Sequence, residues 1–76
     1  MGLKVSAVRD CSVELVNERG HWLIFAVDEL SMGIPDRRPE RVGGPEPSPE
    51  EAFLLVQEGF DIARAHALEH RLVSST

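Results

Sequence analysis

Two histidines four residues apart on a helix can hold a metal ion, and this chain carries such a pair. His66-Ala67-Leu68-Glu69-His70 fits H-x-x-E-H, the inverted zinc-protease order, in which both imidazoles leave one side of a helix. Hydrolysis also needs a third protein ligand and a cleft around an open coordination position. Six residues follow His70, and no downstream helix is expected to supply that ligand. At 100° per residue His66 and His70 fall towards the apolar side of the helix and Glu69 off it, as packing alone would arrange them. Neither a metal nor catalysis is expected there.

The other chemical candidates are weaker. Cys11, the sole cysteine, shares its parity with apolar neighbours and reads as a buried, inert thiol; a nucleophile needs a basic neighbour that the sequence does not place. Arg37, Arg38 and Arg41 resemble an anion site, yet Asp36, Glu40 and Glu46 nearly cancel them, so a solvated connector is expected. Glu50 and Glu51 suit the positive end of a helix dipole without any cleft. There is no glycine-rich phosphate loop after a strand, and tyrosine is absent. No enzyme and no cofactor are expected.

The elements behind these residues are legible from periodicity. Strands are expected at about 3–16 and 21–30, an irregular Pro/Gly/Arg loop at 31–47 and a helix at about 48–73, all in one domain spanning 1–76. Leu3, Val5, Ala7, Cys11, Val13 and Leu15 share one parity, which predicts one half-buried strand or two broken near Arg9-Asp10, with a bulge or bend there. Asn17-Glu18-Arg19-Gly20 is hairpin-turn chemistry. His21 to Val27 is apolar on both parities, which predicts a strand covered on both faces. Leu30, Met32 and Ile34 alternate again and suggest a short edge strand. Ser48-Pro49-Glu50-Glu51 opens the helix with a cap, a proline at its first position and a capping box. The fold class is therefore α+β: an antiparallel β-hairpin or three-stranded meander packed against one long C-terminal helix.

The helix shows two faces. Ala52, Phe53, Leu55, Val56, Gly59, Phe60, Ile62, Ala63, Ala67 and Val73 fall within about half the circumference and predict the core side, with Gly59 marking either a close backbone approach or an unselected glycine. Leu54, Ala65, Leu68 and Leu72 line up among the charged residues instead. Together with the uncovered parity of the His21–Val27 strand, Trp22 and Ile24, they form the expected partner or dimer interface.

Composition sets the class. With 76 residues, 42% of them hydrophobic, the chain is globular, but a core this small is marginal without a staple. One cysteine permits no internal disulfide and fits a reducing, cytoplasmic setting, so dimerisation is the expected remedy. A formal charge of −5 argues against nucleic acid as the main partner, and no apolar run is long enough to span a membrane.

From Trp22 to Ala63 the order of elements resembles the N-terminal domain of HicB-type antitoxins. There a hydrophobic strand leads through a turn into a Gly-x-Thr-x-Glu-Glu-Ala helix opening, matched here by Gly44, Ser48, Glu50, Glu51 and Ala52. The loop before the helix is longer and proline-rich, and a DNA-binding segment is not expected. The resemblance implies a sheet-plus-helix domain that dimerises and binds a partner protein, without DNA binding. The expected function is a non-catalytic interaction module acting as a homodimer whose interface includes Leu68. The alternative is a small-molecule binder with a pocket between helix and sheet near Gly59, Trp22 and Phe60.

Overall fold

The alternation over residues 3–16 resolves into two antiparallel strands, β1 (Lys4–Arg9) and β2 (Ser12–Val16), and the apolar run after them is β3 (His21–Ala26). The computed structural model describes residues 2–9, 11–33, 35 and 38–71. The strands pair in sequence order, and β4 (Glu40–Arg41), two residues inside the proline-rich segment, joins the far side of β3. A long helix follows Ser48, and the fold is α+β, a four-stranded antiparallel sheet with a C-terminal helix.

The β2–β3 turn is built as its residues require. Gly20 has φ +86° and donates its N–H to the Asn17 carbonyl at 3.1 Å. Asn17 Oδ1 accepts from the backbone N–H groups of Arg19 and His21 at 3.1 and 2.9 Å, closing the loop with its own side chain.

The bulge lies elsewhere than expected. Val5 pairs with Leu15 and Ala7 with Glu14, so Ser6 is the extra residue and everything after it in β1 changes face. Ala7 therefore leaves the inward set, and Val8 takes the place opposite Val13. Cys11 is exposed rather than buried, because it sits in the β1–β2 turn, where its carbonyl accepts from the Val27 N–H at 2.9 Å.

The expected edge strand at Leu30–Ile34 is replaced by a helix, α1 (Val27–Met32). Residues two apart on a helix point nearly opposite ways, so Leu30 is fully buried while Met32 is 68% exposed. Gly33, at φ +76°, ends the helix and donates to the carbonyls of Glu29 and Leu30. Ile34 lies outside the described residues.

The long helix, α2 (Pro49–Glu69), starts where its cap predicts: Ser48 Oγ accepts from the Glu51 N–H at 3.2 Å. The Glu51 carboxylate pairs with Arg19 of the hairpin turn, tying the helix start to the sheet. The helix ends a turn sooner than expected, with His70 at its cap and Arg71 in the left-handed region at φ 58°. Leu72 and Val73 lie outside the described residues.

α2 lays Gly59, Ala63 and Ala67, one residue per turn, against the inner face of the sheet. There they meet a core of Leu3, Val13, Leu15, Leu23, Phe25 and Leu30. Small residues on the helix let large ones on the strands fill the space between. Phe60 adds its edge to Phe25, ring centroids 6.0 Å apart and planes at 77°. Phe53 departs from the expected core side and is 63% exposed. It stands at the margin of the apolar half, in the second turn of α2, and faces the proline-rich segment rather than the sheet.

Candidate interaction surfaces

Both helices occupy the inner side of the sheet: α1 packs against α2 and contributes Leu30 to the shared core. Among the described residues no helix covers the outer face. Cross-strand pairing places Val16 opposite Trp22, and Ile24 and Ala26 continue along β3 on the same side. All four are half-buried. This is the uncovered parity of His21–Val27, and it forms one contiguous apolar patch. Ala7 lies beside it across Glu14, whose carboxylate accepts from Ser6 Oγ at 3.0 Å and is drawn towards the β1 edge.

The expected interface residues do not come together. Trp22 and Ile24 share the outer sheet face, whereas Leu54, Ala65 and Leu68 sit on the back of α2, on the opposite side of a two-layer molecule. Leu54 is 65% exposed, Ala65 is exposed and Leu68 is half-buried; Leu72 lies outside the described residues. Exposed Glu58 and Asp61 stand among them, so the stripe on the helix back is interrupted by acid. A twofold contact buries the same patch on both copies and covers one of these faces, not both.

The expected pocket near Gly59, Trp22 and Phe60 is filled. Gly59 is packed against Leu23, Phe25 and Leu3, and Trp22 points out of the other side of the sheet. A groove of about 560 Å³ opens instead between the proline-rich segment and the first turns of α2, lined by Pro35, Pro39, Pro47, Phe53 and Val56 with Arg38 and Glu46.

The proline-rich segment, expected as a solvated connector, is tied to the hairpin by a residue that sequence reasoning passed over. His21 is 1% exposed. Its Nε2 lies 3.1 Å from the Pro45 carbonyl, which can only accept, so Nε2 carries the proton. Nδ1 is then left to accept from the Asn17 amide at 3.4 Å. The Val42 N–H donates to the Gly20 carbonyl at 2.9 Å, and the Arg41 guanidinium donates to the Gly44 carbonyl. The signal was present: His21 opens the parity that Leu23 and Phe25 continue into the core.

His66 and His70 do stack, ring centroids 4.3 Å apart, at the end of α2. Among the described residues no group of three His, Cys, Asp or Glu side chains could hold a metal ion. Among them, too, no helix is long and apolar enough to cross a membrane. No family model, curated protein or solved structure matches this chain.

Proposed function

We propose that this protein is a non-catalytic interaction module that pairs with a second copy of itself through the outer face of its sheet. One observation carries the reading: Val16, Trp22, Ile24 and Ala26 form a contiguous apolar patch that no element among the described residues covers. A large aromatic such as Trp22 in a patch of this kind is a common anchor of a protein interface. The back of α2 suits self-pairing less well, since Glu58 and Asp61 of one copy would face the same acids of the other. On this reading the helix back, with Leu54, Ala65 and Leu68, is the surface offered to a foreign partner protein of the kind the antitoxin resemblance implies.

Sedimentation across micromolar to sub-millimolar concentration tests it. The wild type should dimerise, Trp22→Lys should give a folded monomer, and Leu68→Glu should leave the dimer intact. A wild type that stays monomeric throughout refutes self-pairing.

The groove beside Phe53 favours a second reading, a small-molecule binder. It is the size of a ligand site, and its described lining sets Arg38 and Glu46 beside apolar walls. Ligand-dependent shifts in melting temperature that vanish in Phe53→Ser would support it.

A further inference from the structure

One row across the outer face reads basic, apolar, apolar, acidic. Lys4 pairs with Val16, Val16 with Trp22, and Trp22 with Glu40, so the four side chains stand side by side on β1 to β4. Residues directly opposite in an antiparallel ladder point to the same face. Strands spaced by about 4.8 Å put the two charges about 14 Å apart, with the apolar pair between them. Lys4 and Glu40 are both exposed, and neither forms an ion pair with a described residue.

Resting on the self-pairing proposed above, we infer that two copies meet face to face about a twofold axis parallel to the strands, with Lys4 of each copy on Glu40 of the other. Such an axis reverses the order of strands and keeps each row level. The row then meets its own reverse: basic on acidic at both ends, Val16 on Trp22 in the middle. A twofold axis across the strands would instead lay β1 on β1, bringing Lys4 against Arg9, two like charges on the same face. Charge complementarity therefore selects one axis. Stacked sheets sit about 10 Å apart, within reach of a lysine and a glutamate pointing at each other. Glu14 stands opposite Ile24 in this arrangement, and its bond to Ser6 holds the carboxylate towards the rim. A patch four strands wide is at the small end of specific interfaces, so the dimer is a weak one.

The test is charge reversal, read by sedimentation with circular dichroism as a check on folding. Lys4→Glu and Glu40→Lys should each weaken the dimer about tenfold, since each replaces two attractive contacts by two repulsive ones. The two changes combined should restore the wild-type constant to within about threefold, and added salt should weaken the wild type more than Lys4→Glu. If Trp22→Lys abolishes pairing while both reversals leave it unchanged, the sheet face is the interface but the axis is wrong. If the wild type never pairs, the arrangement and the self-pairing reading fall together.

Discussion

A Cβ placed on Gly59 would stand 2.6 Å from Leu23 Cδ1, with Phe25 Cε2 at 3.3 Å and Leu3 Cδ1 at 3.4 Å. Helix α2 and strand β3 thus meet with no room for a side chain at this point. Gly59→Ala gains about 0.5–1 kcal/mol of helix propensity and loses about 1–3 kcal/mol to overpacking, because Leu23 is fully buried and has little space to move into. The expected net effect is a loss of about 1 kcal/mol in urea unfolding. A stabilised variant would mean that Leu23 finds another rotamer.

Phe25 and Phe60 share an edge contact but differ in burial, Phe25 being fully enclosed and Phe60 half-buried. Phe25→Ala should cost about 3–5 kcal/mol and Phe60→Ala about 2 kcal/mol. A double-mutant cycle should return about 0.5–1.5 kcal/mol of coupling for the ring pair. Zero coupling would show that the two rings pack independently.

Ser48→Ala removes the acceptor for the Glu51 N–H and should cost about 1 kcal/mol. Hydrogen exchange should locate the loss in the first turn of α2. Protection unchanged at Glu51 would mean that another group caps the helix.

His21→Leu keeps the volume but strips the Pro45 carbonyl and the Asn17 amide of their ring partners, a loss of about 1–3 kcal/mol. Limited proteolysis should then cut in the segment 43–48 faster than in the wild type. Equal cleavage would show that the backbone bond from Val42 to Gly20 holds the segment by itself.

What the sequence disclosed depended on the range of the signal. Ser48, Pro49 and Gly20 each state a local backbone need, and the structure meets all three. The face of Ala7 did not follow from parity, because a single extra residue at Ser6 reverses the count and carries no mark of its own, and Cys11 is exposed because alternation lapses in the turn it occupies. α1 was missed since six residues give less than two turns, and the spacing of Leu30 and Met32 reads equally as a strand; Gly33 was the better clue. The two-residue β4 is too short for any period to reveal. Alternation puts Trp22 and Ile24 on one face of β3, and the helical period puts Leu54, Ala65 and Leu68 on the back of α2. That these faces look in opposite directions is a relation between elements, and neither a wheel nor an alternation contains it.

The order of pairing also sets a clock. The three main strands are neighbours in sequence and joined by tight turns, so the meander can pair through local contacts alone. The helix that shields Leu15, Leu23 and Phe25 belongs to the far end of the fold, closing only at Glu69. A chain whose strands pair before that helix docks carries an oily inner surface that chaperones or another copy can reach first.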